Sequence, residues 1–341
     1  MKILIVKLSS LGDVLHTLPV VHDIQSALPN AQIDWVVEKS FAGVVRHCAG
    51  VNRVVTCELR RWRKALFAKE TRQAWQAFKL DLQQTHYDAV IDLQGLTKSA
   101  VIAKFAKLSQ TGKRYAMANR SDGSSYEAPS RWLANVAIAV KPHSHAVQRG
   151  RDVCAAALGY ALTSTLQKSL SFGLAVGVNN AYFAMKNIAN IETPFVIFAH
   201  GTSRADKLWP LTNWVALGQR LNAQGMAVAL AHGSDSEQAR SEAIAQQLEK
   251  ATVLPRLGLD DLLNVMRASA GVVGVDSGLS HMAVALDLPH VQIYNFDTAW
   301  RTGPLLADAQ SAARQVSVYA KPTPALDDVW LAWSQVFGTK K

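Results

Sequence analysis

Cysteine is scarce in this chain. Only Cys48, Cys57 and Cys154 occur in 341 residues, and no two form a CxxC pair. That usage speaks against a disulfide framework or a zinc site and suits a reducing compartment. No apolar run approaches the ~18 residues needed to span a bilayer. The N-terminal apolar run "ILIV" is too short for the core of a secretory signal. No GxGxxG follows it, which speaks against dinucleotide binding in this half. No Ser or Cys nucleophile constellation stands out, and there is no RNP, helix-turn-helix or zinc motif of a nucleic-acid binder. Repeats and low-complexity tracts are absent.

What is present reads as globular. Hydrophobic residues make up 49% of the chain and charged residues 18%, a composition that suits large buried sheets. The length exceeds what one core usually supports, so two domains are expected. The formal charge of +10 favours an anionic partner, whether phosphorylated ligand, nucleic acid or membrane surface.

Short apolar runs alternate with helical stretches throughout. Strands are expected at 2–6, 33–37, 52–56, 87–93, 194–199, 226–231, 271–275 and 290–294. They are rich in Val and Ile with little alternation, as in parallel sheets buried on both faces. Helices are expected near 13–28, 62–84, 211–224, 235–249 and 259–268. This βαβα order predicts two Rossmann-like, doubly wound α/β domains. The pattern fades between about 160 and 193, which places the domains at 1–165 and 166–320. A last amphipathic segment, 321–341, is expected to pack back toward the first domain, with Thr323 capping its helix ahead of Pro324.

Ligands of such sheets sit beyond the carboxyl ends of the strands, and three loops there carry chemistry. In "KLSSLGDVLHTLP" (7–19), Gly12 gives room for a close approach. Asp13 stands at the N-cap or first turn of a helix, where the dipole keeps it ionised. It reads either as a cap or as a general base. In "FAHGTSRADKLWP" (198–210), Thr202, Ser203, Arg204 and Lys207 read either as a diphosphate site or as a surface loop anchored by its Trp-Pro before the next helix. In "GVVGVDSGLSHMAVAL" (271–286), Asp276 can bond sugar hydroxyls. The Ser277, Gly278 and Leu279 amides open a helix and form an anion site. His281 in that first turn reads as a local hydrogen-bonding residue or a ligand. Glu237, in "HGSDSEQ" (232–238), reads as a ribose ligand or a first-turn acid. "LRRWRKA" (59–65) gathers four cations around Trp62, either on a solvated helix face or as a polyanion clamp.

Taken together, "VKLSSLGDVLHTLP", "DWVVE", "RRWRKA", "YDAVIDLQGLTKSA", "HGTSRADKLWP" and "VDSGLSHMAVALDLP" resemble the lipopolysaccharide heptosyltransferases of glycosyltransferase family 9. The opening loop is similar to the type I branch, and the likeness runs over nearly the whole chain. Two stretches depart from it. Relatives tend to carry a Gly-Pro turn where "YNFDTAWRTGP" (294–304) stands. An Arg-Glu-Pro segment is replaced by "SSYEAPSRWLANVAIAVKP" (124–142).

The resemblance implies the GT-B fold, with two Rossmann-like domains facing across a cleft. It implies inverting transfer of L-glycero-D-manno-heptose from ADP-heptose to the first Kdo of Kdo2-lipid A, in the inner core of Gram-negative lipopolysaccharide. No metal or other cofactor is implied, and no nucleic-acid partner. By this likeness Asp13 is the general base. Lys207 steadies the departing ADP, with Thr202 and Ser203 near its phosphates. Asp276 contacts the donor sugar, Ser277, Gly278 and Leu279 offer phosphate-binding amides, and His281 joins the donor site. Glu237 holds the ribose. Gly12, Arg60, Arg61, Arg63 and Lys64 meet the anionic acceptor. The implied location is cytoplasmic, peripheral at the inner face of the inner membrane and held there by electrostatics. A related GT-B enzyme with another nucleotide sugar or core acceptor is the alternative reading.

Overall fold

Among the described residues, twelve parallel strands divide into two six-stranded sheets of identical winding. The computed structural model describes residues 1–174, 191, 194–305 and 314–338. The chain separates into two compact units, Met1–Ala175 and Val176–Lys341. The expected boundary at 165 is thus ten residues early, and much of the connecting stretch, 175–190 and 192–193, lies outside the described residues.

The first unit holds β1 (Lys2–Val6), β2 (Gln32–Glu38), β3 (Val51–Cys57), β4 (His86–Asp92), β5 (Lys107–Met117) and β6 (Val136–Ile138), in the order β3-β2-β1-β4-β5-β6. The second holds β7 (Phe195–Ala199), β8 (Ala227–Leu230), β9 (Ala251–Val253), β10 (Gly271–Val275), β11 (His290–Tyr294) and β12 (Gln315–Tyr319), in the order β12-β11-β10-β7-β8-β9. Counted within each unit, both orders are the doubly wound 3-2-1-4-5-6 pattern, so the direction of winding reverses between β1 and β4, and again between β7 and β10. In sheets of this winding, ligands gather in the loops that follow such strands.

The central strands match their sequence pattern. Ile3, Leu4, Ile5 and Val6 of β1 are fully buried, as are Phe195, Val196, Ile197 and Phe198 of β7. Helices cover both faces. The segment expected as one helix over 13–28 is two, Leu11–Thr17 and Pro19–Ala27, because Pro19 starts a new one. Arg151, from the helix Ala146–Leu158, clamps Asp23 with bonds of 2.6 and 3.0 Å inside the first unit. Both partners are buried, so removing one leaves a costly lone charge.

The C-terminal helix, Leu326–Gly338, belongs to the second unit. Val329, Trp333 and Val336 are buried in that unit's core with Val291, Ile293 and Trp214. The helix's apolar face is used up on the second sheet. Thr323 is not its cap, since the helix starts at Leu326 and the Thr323 hydroxyl donates to Asn295 Oδ1 at 2.7 Å.

Candidate active site

The loop after β1 turns directly into the helix Leu11–Thr17, whose N-cap is Ser10. Asp13 is the third helical residue, not the cap. Its Oδ2 accepts from the Ser10 amide at 3.0 Å and the Ser10 hydroxyl at 2.8 Å. This is a capping box with Asp in the usual Glu place. Among the described residues, Oδ1 accepts no hydrogen bond, so one oxygen of the carboxylate is left for a ligand. Burial pulls the Asp13 carboxyl up, but Lys7, the two Ser10 bonds and Arg149 outweigh it and hold it below its ordinary value of 3.8.

Lys7 is the cation beneath. It follows β1, is only 5% exposed, and donates from Nζ to the Leu93 carbonyl at 3.0 Å. Burial lowers its pKa, against the raising pull of Asp13 and Asp92. Asp92 ends β4 and accepts from the Gln94 and Gly95 amides at 2.9 and 3.2 Å and from Ser99 Oγ at 3.0 Å. Burial still lifts its carboxyl to about 6. Gln94 turns back, and its Oε1 receives the Leu8 and Ser9 amides at 3.1 and 3.2 Å. The two loops at the winding reversal thus fix one another, and Asp13 stands on a rigid support.

The basic stretch after β3 is less regular than either sequence reading. Its helix covers only Leu59–Trp62. Trp62 is buried, with its ring edge-on to Trp75 at 5.6 Å. The Arg60 amide donates to Glu38 Oε1 at 3.3 Å, and its guanidinium lies 5.6 Å over Phe41. Arg61 is paired with Glu58 at 3.0 Å, whereas Arg63 and Lys64 are exposed. A cavity of about 640 Å³ opens here, lined by Arg60, Arg63 and Arg72 together with Trp62, Trp75 and Lys98. Lys98 also reaches Ser9 Oγ at 3.5 Å, which links the cavity wall to the Asp13 loop.

In the second unit, the loops after β7 and β10 meet. Lys207 donates to Asp276 Oδ2 at 2.5 Å, and His281 lies 3.3 Å from Oδ1. Burial pushes the Asp276 carboxyl up, but His281 and Lys207 prevail and hold it well below the usual carboxylate range. Thr202 Oγ1 donates to the Asp276 carbonyl at 3.3 Å. Ser277 is the N-cap of the helix Gly278–Ala285, so the Gly278 and Leu279 amides lie at a helix start. That helix sits close to the sheet because Gly274 has no side chain. A Cβ there would run into Ser280 Oγ and the Ala199 methyl.

Glu237 is a first-turn acid of the helix Asp235–Ala245, and its Oε2 accepts from the Gly233 amide at 2.7 Å. It also faces the β7 loop, since a Cβ on Gly201 would lie 2.5 Å from its Oε1. Ser203 is exposed. Arg204 is tied to Asp206 and lies 5.5 Å over the Phe296 ring. Asn295 donates to the Asp206 and Leu208 carbonyls, both at 3.0 Å. Trp209 anchors the loop from behind, fully buried and donating to the Pro324 carbonyl at 2.8 Å.

Two units of one winding, with a poised carboxylate in the first and a Lys–Asp–His group at a helix start in the second, match a known pattern. The sequence profile of glycosyltransferase family 9 (heptosyltransferase) covers residues 75–325. The chain is 36% identical over 298 residues to lipopolysaccharide heptosyltransferase 1 of Salmonella typhimurium, covering 86% of this chain and 88% of that one. It belongs to glycosyltransferase family 9. The Pseudomonas aeruginosa lipopolysaccharide heptosyltransferase 1 is 37% identical over 300 residues, covering 86% and 78% of the two chains. The solved E. coli heptosyltransferase WaaC with ADP superimposes with a TM-score of 0.82 at 32% identity, over 97% of this chain and 98% of that one. E. coli heptosyltransferase II, 20% identical with a TM-score of 0.75 over 98% of this chain and 99% of that one, shares the fold. The family-9 fold of this chain is thus GT-B, and the chain is a glycosyltransferase.

Within this family-9 chain, Lys207, Thr202, Asp276 and His281 come together in one cluster, with the Ser277–Leu279 turn beside it and Glu237 one loop away. In the first unit, Arg60 and Arg63 share the cavity while Asp13 stands on its own turn. Lys7, Asp92, Gln94 and Arg149 were not among the residues expected from sequence. Lys7 carried a signal, as a cation closing an otherwise apolar strand just before the Gly-Asp turn. The other three lie far along the chain from the Asp13 turn and are brought to it by strand pairing and helix packing. Among the described residues, no group of three His, Cys, Asp or Glu is arranged to hold a metal ion, and no helix is long and apolar enough to cross a membrane.

Proposed function

We propose that this glycosyltransferase moves L-glycero-D-manno-heptose from ADP-heptose to the first Kdo of Kdo2-lipid A, with inversion and with Asp13 as general base. Asp13 carries the reading: an ionised carboxylate with one unengaged oxygen at the mouth of β1, backed by a buried lysine. The acceptor hydroxyl oxygen attacks the heptose anomeric carbon. As that bond forms, the bond to the diphosphate oxygen breaks, the hydroxyl proton passes to Asp13, and ADP leaves.

The second unit supplies the donor side. Lys207 offers its ammonium to the departing diphosphate, and Thr202, Ser203 and the Ser277, Gly278 and Leu279 amides offer hydrogen bonds. Asp276, oriented by Lys207 and His281, takes sugar hydroxyls, and Glu237 takes the ribose. Gly12, Arg60, Arg61, Arg63 and Lys64 meet the acceptor's carboxylates and phosphates. The lipid acceptor would hold the enzyme at the cytoplasmic face of the inner membrane. The relatives named heptosyltransferase 1 support the type of transfer, and the relative solved with ADP supports the nucleotide.

The reading needs no resident metal, so EDTA leaves turnover unchanged. The deciding assay is ADP release from ADP-heptose with Kdo2-lipid A, for wild type and Asp13→Asn. Asn keeps a cap acceptor but removes the charge. Turnover is expected to fall by roughly 10²–10⁴-fold, with the thermal shift from ADP retained. Full activity in Asp13→Asn would end the base assignment. Preference for a UDP or GDP donor would point to the related enzyme of other donor specificity.

A further inference from the structure

The net positive charge of this chain lies in one unit. Residues 1–175 carry 23 Lys and Arg against 12 Asp and Glu, a net of +11, while residues 176–341 carry 13 against 14, a net of −1. The densest part is the turn between the helices Leu59–Trp62 and Lys69–Leu82. Six cations occur between residues 60 and 72, against the single acid Glu70. At the centre of this stretch stand two apolar side chains in solvent, Leu66 at 60% and Phe67 at 86% exposure.

A phenylalanine that exposed is an expensive way to end a turn, unless something covers it. Part of the turn's polar backbone is already engaged. The Phe67 carbonyl accepts from Arg72 Nη2 at 2.8 Å, and the Ala65 carbonyl accepts from the Ala68 amide at 3.1 Å. An aromatic apex with a ring of exposed Arg63, Lys64, Lys69 and Arg72 around it matches one surface chemically. Apolar residues enter the acyl boundary of a bilayer while the flanking cations meet anionic headgroups. Nucleic acid would use the charge but not the apex. A second copy of this chain would bring the same positive charge against itself.

We propose that the Leu66–Phe67 turn is a membrane wedge, which inserts into an anionic lipid surface and seats the first unit on it. The idea deepens the function proposed above, whose acceptor is a lipid. Binding to vesicles is nevertheless measured with no sugar present, so the two readings fail separately.

The test is co-sedimentation of the full chain with vesicles of phosphatidylglycerol and phosphatidylethanolamine, and with vesicles of phosphatidylcholine alone. Wild type is expected on the anionic vesicles only. Phe67→Ser is expected to weaken that partition about tenfold, and Phe67→Trp to restore it, with a blue-shifted emission the Ser variant lacks. Leu80→Ser, at another exposed apolar site, serves as the control and is expected to bind as wild type. Phe67→Ser should turn over a deacylated, water-soluble acceptor as wild type does, and lose activity only on acceptor embedded in vesicles. Equal vesicle binding by wild type and Phe67→Ser overturns the wedge, as does binding that tracks charge alone. If Phe67→Ser converts a dimer to a monomer in solution without changing vesicle binding, the turn is a chain–chain contact and the wedge is wrong. Vesicle binding without heptose transfer would leave the wedge standing and remove the function.

Discussion

The two sheets share one winding but treat corresponding positions in opposite ways. Just after the first strand, β1 is followed by Lys7 and β7 by His200. At the paired central strand, β4 ends on Asp92 and β10 is followed by Asp276. In the first unit the buried lysine biases a carboxylate elsewhere, Asp13, toward its ionised form. In the second, the corresponding carboxylate is engaged directly, by Lys207 and His281. His200 is a neutral spacer, with its Nε2 2.7 Å from Ser241 Oγ. One scaffold thus holds a carboxylate with a free oxygen in one copy and a carboxylate engaged by Lys207 and His281 in the other. The difference rests on which groups were placed at the strand ends, not on the fold.

The strongest way to break this contrast is to remove each group in turn. Lys207→Ala is expected to cost roughly 10²–10³-fold in kcat, measured as ADP release. Lys7→Met should act differently. It leaves the donor site alone, raises the Asp13 pKa and shifts the acid limb of the kcat/KM profile upward. Identical pH profiles for wild type and Lys7→Met would refute the supporting role of Lys7.

Acid should next separate the units by stability. Burial holds His200 and His290 at about 4, below the ordinary 6.5. Their neutral burial is unpenalised above 6.5, and stability is lost as pH falls from 6.5 to 4 because the unfolded chain takes the protons. Each contributes up to roughly 3 kcal/mol. Asp92 has the opposite sign. Its value of about 6 lies above the ordinary 3.8, so its cost is relieved as pH falls through 6. Hydrogen exchange at pH 7.5 and pH 5 should show β7 and β10 amides losing protection relative to β1 and β4. Equal change in both units would remove the contrast.

The smallest effect concerns the meeting of two loops. Gly201→Ala places a methyl against the Glu237 carboxylate. That side chain can swing away, so stability should change by less than about 1 kcal/mol, while the KM for the donor rises several-fold. An unchanged KM would take Glu237 out of the donor site.

How much of this was legible in the sequence varies by element. The central strands β1, β2, β4, β7, β10 and β11 were readable because both their faces are buried and their residues are nearly all apolar. The four strands that escaped detection lack that signal. In β5, "KLSQTGKRYAM", only Ala116 and Met117 are buried. β6 and β9 are three residues long, and every residue of β9 is half-buried. β12 is an edge strand with a single buried residue, Gln315. In the candidate site, the rule that ligands gather after strands pointed to the loops that hold Lys207 and Asp276, which the fold brings together. It could not reveal Asp92, Gln94 or Arg149, because their roles depend on strand pairing and helix packing that no local spacing encodes. Arg149 sits in a helix whose sequence reads as ordinary amphipathic cover.

The Trp209–Pro324 bond and the Asn295–Thr323 bond tie the loop carrying Lys207 to the start of the C-terminal segment. That loop is therefore held from a point more than a hundred residues further along the chain. A protein cut short before Pro324 would keep the whole Lys207–Asp276–His281 cluster and still lose the anchor that sets the position of its lysine.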